Sequence, residues 1–237
     1  MKFKSSDERY LTQRRNFSEQ SGPRELWSVI DSWPLYVGIG NLSRFMAIAD
    51  LLKETLNVPG HVVEFGSWRG ANLMLLAKLL SIYDPYGSKL IHCFESFKGL
   101  ETFSDQDGSS AAAESGTYRG NFDELQAMIN LYELDDNVVI HHGDILKTLP
   151  RALENQGLSF SLVYCDTDLY APSILILNEL HSRLSKGGLI IMDEWNYDKW
   201  PGEAIAVREF MENHTDSYEM LHVRFARQPS LALKKIK

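Results

Sequence analysis

The chain has 237 residues, of which 44% are hydrophobic and 24% charged, a balance that excludes disordered, collagen-like and low-complexity proteins. Its length is sufficient for one domain with a single sizeable core. The formal net charge of −8 argues against a nucleic-acid partner and against docking on an anionic membrane, because both need a basic surface.

The sequence indicates neither a membrane span nor a secretory leader. Its apolar runs are shorter than the ~20 residues that cross a bilayer, and the polar N-terminal segment lacks the apolar stretch of a signal peptide. Cys93 and Cys165 lie in apolar, strand-like segments, which favours buried thiols over a disulfide. We therefore expect a cytoplasmic protein.

Helical and strand patterns follow one another along the chain. Residues 1–25 are charged and predict an arm or a short helical lid, and apolar residues recur at helical spacing over 41–56, with Asn41 as the expected N-cap. Strands are predicted over 61–65, 89–95, 137–142, 160–166, 188–194, 218–225 and 230–235. Helices are predicted over 70–83, 121–134, 148–156, 171–184 and 204–214, and a polar loop over 102–119.

This alternation predicts an α/β fold with a mostly parallel sheet covered on both faces. The last two strands, joined around Gln228-Pro229, predict an antiparallel hairpin at one edge. We expect one globular unit over residues 61–237, preceded by an arm and helical lid over residues 1–60.

Acidic residues follow the strands of this sheet. In an open parallel sheet ligands bind outside the carboxyl ends of the strands. The acids expected there are Glu64, Glu95, Asp144, Asp166, Asp168, Asp193 and Glu194.

The first two of these strand ends predict a nucleoside ligand with an ammonium group. Gly66 and Gly70 would let a ligand approach the turn after the first strand, and Glu64 would repel a pyrophosphate but attract an ammonium group. Glu95 is placed to accept hydrogen bonds from a ribose diol. Asp144 has two open interpretations, a partner for an adenine amino group or an N-cap.

The acids after the fourth and fifth strands predict a cation site. Adjacent strands lie about 4.8 Å apart, so Asp166, Asp168, Asp193 and Glu194 should converge, and no lysine or arginine is near them in sequence. A hard divalent cation would relieve their repulsion, and oxygen ligands select magnesium, manganese or calcium. The alternative is a set of acids that cap helices and face water.

Four blocks of residues carry a resemblance to a known family. Residues 62–70 (VVEFGSWRG), 95–100 (ESFKGL), 165–170 (CDTDLY) and 191–194 (IMDE) resemble the signature blocks of the macrocin-type O-methyltransferases. These are class I enzymes that use S-adenosylmethionine and magnesium, and many of them methylate sugar hydroxyls of natural products. The resemblance runs from about residue 36 to residue 210.

The resemblance implies roles for individual residues. Glu64, Gly66, Ser67 and Gly70 would bind the methionine part of S-adenosylmethionine, with Asp166 beside it. Glu95 and Ser96 would bind the ribose. The Gly143-Asp144 turn would lie at the adenine, and Tyr36 and Val37 would close over the cofactor.

The resemblance also implies a magnesium (or manganese) ion held by Asp166, Asp193 and Glu194. The family commonly has two aspartates where this chain has Asp193-Glu194, and members place a histidine after the second block. This chain has no histidine between His92 and His141. We therefore predict an aspartate base, Asp168 in preference to Asp166.

The predicted reaction is methyl transfer from S-adenosylmethionine to a sugar hydroxyl, in a homo-oligomer (dimer or higher), with no nucleic-acid or membrane partner. Three alternatives stay open. The first is a magnesium-dependent methyltransferase of catechol-type aromatic diols, for which Trp195, Tyr197 and Trp200 could supply stacking surfaces. The others are a non-catalytic binding protein of the same fold and an α/β protein that does not use S-adenosylmethionine.

Overall fold

A seven-stranded sheet organises the molecule in the computed structural model, which describes residues 4–195 and 197–237. The strands are β1 His61–Phe65, β2 Ile91–Glu95, β3 Val138–His142, β4 Phe160–Cys165, β5 Leu184–Met192, β6 Tyr218–His222 and β7 Leu231–Lys235. Their order is β3-β2-β1-β4-β5-β7-β6. The first five strands in this order are parallel to one another, and β7 pairs antiparallel with both β5 and β6. The predicted fold class, including the antiparallel C-terminal hairpin, is confirmed.

Helices cover both faces of the sheet. They are α1 Lys4–Ser21, α2 Leu26–Asp31, α3 Trp33–Tyr36, α4 Ile39–Thr55, α5 Ala71–Tyr83, α6 Phe122–Leu131, α7 Ile145–Ala152, α8 Tyr170–His181 and α9 Pro201–His214. Because successive strand side chains point to opposite faces, Val63 and Phe65 pack with residues of α7, α8 and α9. Val62 packs on the other face with residues of α4, α5 and α6.

The N-terminal region is helical, one of the two forms that the sequence left open for residues 1–25. Residues 4–21 form one helix, and α2 and α3, which the sequence pattern did not predict, connect it to α4. The Tyr10 hydroxyl donates a hydrogen bond to the Tyr36 carbonyl at 2.7 Å. Residues 1–3 of the predicted arm lie outside the described residues.

Several helix and strand boundaries differ from the prediction, and three of them have a local structural cause. Helix α4 begins at Ile39 with Gly38, not Asn41, as its N-cap. Helix α7 begins at Ile145 because the Asp144 carboxylate accepts the Leu146 amide, so Pro150 lies inside the helix. Strand β5 begins at Leu184, since the glycines before residue 189 form an irregularity within the strand and not a turn.

The structure also bears on the two cysteines and on the predicted lack of a membrane span. Cys93 and Cys165 are free and buried, as predicted, in β2 and β4. Within residues 4–195 and 197–237, none of the helices has the combined length and apolarity needed to cross a bilayer.

Candidate active site

The carboxyl ends of the parallel strands open onto a cavity of about 530 Å³. Among its lining residues are most of the predicted site residues: Glu64, Gly66, Ser67, Glu95, Ser96, Asp144, Asp166, Asp168, Asp193 and Glu194. Of the residues that the structure describes, Tyr36, Val37, Gly70 and Gly143 were predicted for the site but do not line the cavity.

The turn after β1 is fixed by close contact between backbones. Gly66 has φ +80°, and a Cβ on it would lie 1.9 Å from the Asp166 carbonyl oxygen. The absence of a side chain therefore allows the end of β1 to pass directly beside the end of β4. Gly70 follows as the N-cap of α5.

Glu64 is a buried carboxylate at this turn, 1% exposed. It accepts hydrogen bonds from the Ser67 hydroxyl at 2.5 Å and from Asn72 Nδ2 at 2.7 Å. Burial raises the pKa of Glu64 to about 7, because desolvation outweighs these hydrogen bonds. A cationic group in the cavity would favour its ionised form.

Glu95 is held at the end of β2 by two backbone amides. Phe97 donates to Oε1 at 2.7 Å and Trp68 donates to Oε2 at 2.8 Å. Burial raises the pKa of Glu95 despite these bonds. Each carboxylate oxygen keeps a further lone pair for a hydroxyl donor.

The remaining nucleoside-side residues frame the same region. Asp144 caps α7, the alternative that the sequence left open, and also lines the cavity. The Gly143 amide donates to the Glu95 carbonyl at 2.9 Å, which joins the ends of β3 and β2. Tyr36 and Val37 lie at the end of α3, before the helix that borders the cavity through Asn41 and Phe45.

An arginine that is distant in sequence enters the acidic cluster, which has no lysine or arginine near it in the chain. Arg44 Nη1 lies 2.8 Å from both carboxylate oxygens of Asp193, and Nη2 lies 2.9 Å from Asp166 Oδ2. Burial alone would lower the pKa of Arg44, but the charges of these partners raise it. Sequence analysis missed Arg44 because its helix is separated from both strands by more than a hundred residues of chain.

Three carboxylates of this cluster, among them the Arg44 partner Asp166, are close enough together to hold a cation. Asp166, Asp168 and Glu194 each offer an oxygen, and these oxygens lie within 4.8 Å of one another. Glu194 Oε1 accepts from Gln228 Nε2 at 2.5 Å, while Oε2 is buried without a hydrogen-bond partner among the described residues. Burial and the neighbouring carboxylates raise the pKa of Glu194 to about 10. An orphaned oxygen in an all-oxygen donor set fits a hard divalent cation.

Comparison with known proteins supplies the family to which this geometry belongs. The model of the macrocin-O-methyltransferase (TylF) family matches residues 17–225, which is most of the chain. The chain belongs to this family. The resemblance carried by the four sequence blocks is thereby confirmed, and the protein is an S-adenosylmethionine-dependent O-methyltransferase.

Individual relatives agree with this placement. Demethyldecarbamoylnovobiocin O-methyltransferase of Streptomyces niveus is 26% identical over 77% of this chain and 72% of its own. Mycinamicin III 3''-O-methyltransferase of Micromonospora griseorubida is 27% identical over 70% and 66%. The crystal structure of the calicheamicin methyltransferase CalS11 is 26% identical and superposes with a TM-score of 0.83, over 97% of this chain and 92% of that one.

In this methyltransferase the carboxyl group of a second glutamate, Glu203, binds the backbone amide of Glu194. Glu203 of α9 is fully buried, and its Oε1 accepts the Glu194 backbone amide at 2.7 Å. Its Oε2 has no hydrogen-bond partner in the described part of the chain. No signal in the sequence pointed to Glu203, which directly precedes the helix predicted over 204–214.

The aromatic residues at the methyltransferase cavity are partly different from those expected. Trp200 is buried and Trp195 packs against the core, whereas Tyr197 lines the cavity. Trp68 and Tyr118 line it as well, are 47% and 40% exposed, and meet edge-to-face with ring centroids 5.8 Å apart. The exposed rings that could contact an acceptor are therefore mainly on the β1 turn and the 102–119 loop.

Proposed function

We propose that this enzyme transfers a methyl group from S-adenosylmethionine to a hydroxyl group of a sugar. The observation that carries the proposal is one cavity lined both by Glu64 and Glu95 and by the carboxylate cluster of Asp166, Asp168 and Glu194. Similar proteins named for sugar acceptors support it, among them CalS11, described as a TDP-rhamnose 3'-O-methyltransferase.

The first part of the cavity would bind the cofactor. S-adenosylmethionine supplies a methyl group already activated by its sulfonium charge. Glu64, oriented by Ser67 and Asn72, would compensate the ammonium group of the cofactor, and the orphaned Asn72 Oδ1 offers a further acceptor nearby. Glu95, fixed by two amides, would accept the ribose hydroxyls, with Ser96 beside it.

The remaining predicted residues would contact other parts of the cofactor. Gly66 and Gly70 shape the turn at the methionine end, with Asp166 at its side. The Gly143-Asp144 turn would contact the adenine. Tyr36 and Val37, in the helical lid of residues 1–60, would close over the cofactor when it is bound to the unit of residues 61–237.

The second part of the cavity would hold a magnesium or manganese ion and the reacting hydroxyl. Asp166 and Glu194 are proposed as ligands, with Asp193 expected from the family and Asp168 supplied by the geometry. Such an ion stabilises a developing alkoxide when bound. Because only one oxygen of each carboxylate belongs to this cation set, the other oxygen of Asp168 is proposed to accept the hydroxyl proton, with Asp166 as the other candidate.

A catechol-type acceptor is the second candidate. The exposed rings of Trp68 and Tyr118 favour it, since a flat acceptor could stack on either ring. The same rings can also pack on the apolar face of a deoxysugar.

Assembly and location complete the proposal. A homo-oligomer, dimer or higher, is supported by the exposed apolar side chains of the N-terminal helices: Leu11, Phe17, Leu26, Trp27 and Leu35. A cytoplasmic location is supported by the free thiols of Cys93 and Cys165. Sedimentation of the full chain tests the first, and fractionation of the source cell tests the second.

The acceptor is tested with S-adenosylmethionine carrying an isotopic label in its methyl group. The enzyme is incubated with TDP-rhamnose, glycosylated natural products and catechols, and Asp168→Asn serves as the inactive control. We expect labelled methyl ethers of sugars. Labelling of catechols and of no sugar would replace the proposal with the second candidate, and labelling of no hydroxyl acceptor would contradict both.

A further inference from the structure

Arg44 is placed among the carboxylates where the proposed metal ion would bind. Its guanidinium bridges Asp193, which follows β5, to Asp166, which follows β4, with contacts of 2.8 and 2.9 Å. The side chain reaches the cluster from α4, in the N-terminal part of the chain. Asp166 is thus shared between this guanidinium and the set of oxygens that fits a cation.

Both carboxylate oxygens of Asp193 already accept hydrogen bonds from protein groups. Both of its oxygens accept from Arg44 Nη1, Tyr164 donates to Oδ1, and its side chain is 2% exposed. Glu194, the next residue, differs from Asp193 because its buried Oε2 accepts no hydrogen bond from the described residues. The orphaned acceptor therefore lies outside the reach of the guanidinium.

We propose that Arg44 is an internal counter-cation that competes with the divalent ion for this carboxylate cluster. It keeps Asp193 as an ion-pair partner and withdraws part of the negative charge of Asp166. The affinity of the site for the divalent ion would then be low, and the carboxylates would keep their arrangement without the metal. This inference rests on the proposed function of the cavity.

The physical reason is electrostatic. A guanidinium a few ångströms from a divalent ion repels it, and in a partly buried site this repulsion is only weakly screened. Neutralising Arg44 removes the repulsion and frees carboxylate oxygens for the ion. Even at the dielectric of a protein surface, the gain should correspond to at least about tenfold in affinity.

The test is a titration of Mn²⁺ into the full-length protein, followed by calorimetry and by the loss of the free-ion electron paramagnetic resonance signal. The variants are Arg44→Gln and Arg44→Met. Lys186→Met is the matched control, because it also removes one positive charge, from an exposed position near the amino end of β5. Glu194→Gln reports whether the ion binds in the cluster.

We expect Arg44→Gln and Arg44→Met to bind Mn²⁺ at least about tenfold more tightly than the wild type. Lys186→Met should match the wild type, and Glu194→Gln should bind more weakly. Added Mn²⁺ should also raise the Tm of Arg44→Gln more than that of the wild type. Arg44→Gln keeps a hydrogen-bond donor, so it decides the question if Arg44→Met does not fold.

Equal or weaker Mn²⁺ binding by the folded Arg44 variants would overturn the inference, as would no Mn²⁺ binding by any variant. S-adenosylhomocysteine is titrated into the same samples as a separate readout. Failure of the wild type to bind it would overturn the proposed function, while leaving the comparison of Mn²⁺ affinities intact.

Discussion

The backbone amide of Trp68 donates a hydrogen bond to Glu95 Oε2 at 2.8 Å, and so joins the turn after β1 to the end of β2. The Phe97 amide occupies the other oxygen of the same carboxylate. Two fixed donors hold Glu95 in one orientation before any ligand arrives. The cofactor would therefore meet a preorganised acceptor at the ribose position.

Glu95→Gln should weaken binding of S-adenosylhomocysteine at least about tenfold, because one amide donor and the ribose hydroxyls lose charged acceptors. Calorimetric titration measures the change. Glu154→Gln, at an exposed position after α7, is the matched control and should bind like the wild type. Unchanged binding by a folded Glu95→Gln variant would exclude Glu95 from the cofactor site.

The pH dependence of cofactor binding should report Glu64. Its pKa in the free protein is raised to about 7 by burial, and an ammonium group favours the ionised carboxylate. Affinity for S-adenosylhomocysteine should therefore rise as the pH increases through about 7. In Glu64→Gln the rise should disappear. A pH profile of equal slope in this variant would assign the dependence to another group.

The same raised pKa has a consequence for stability. A folded-state pKa above the unfolded value stabilises the fold below the ordinary pKa of glutamate, and this contribution is lost as the pH rises through about 7.

His92 has the opposite effect on the pH dependence of stability. Burial, with His141 and His61 beside it, lowers its pKa to about 4.

The His92 contribution to stability should be present above the ordinary histidine pKa and lost as the pH falls from about 6.5 to about 4. The urea midpoint of the wild type should fall over this interval, and that of His92→Phe should fall less, because phenylalanine keeps the ring and does not titrate. A parallel fall in both proteins would show that His92 does not control the acid limb.

Two glycines with similar φ angles should respond differently to alanine. Gly66→Ala would place a Cβ 1.9 Å from the Asp166 carbonyl oxygen, whereas Gly108, at φ +87°, has open space around it. Gly108→Ala should cost only the backbone strain of its conformation, roughly 1–3 kcal/mol. Gly66→Ala should cost several times more and disrupt the site. Equal unfolding free energies of the Gly66→Ala and Gly108→Ala variants would contradict the close approach of β1 and β4.

Much of this site could be predicted from sequence because the topology places it. Parallel strands end at one edge, so each acid that follows an apolar strand is brought to the same cavity. Glu64, Glu95 and Asp166 could be located in this way. The buried strands themselves were evident from their apolar runs.

The residues that were missed lie on elements whose patterns carry no sign of the site. Arg44 lines the cavity from a helix far away in the chain, and Glu203, which contacts the Glu194 amide from α9, directly precedes the segment predicted as a helix. Tyr118 belongs to a polar loop whose path depends on contacts such as the Asp107 carboxylate accepting the Tyr170 amide. Only the three-dimensional packing places such side chains at the site.

Titration of S-adenosylhomocysteine into the purified wild-type protein, in magnesium buffer and again with a chelator, tests directly whether this cavity binds the cofactor. We predict one binding site of micromolar affinity in both buffers, since the Glu64 and Glu95 contacts do not depend on the metal. Absence of detectable binding in both buffers would contradict the assignment of this cavity to S-adenosylmethionine.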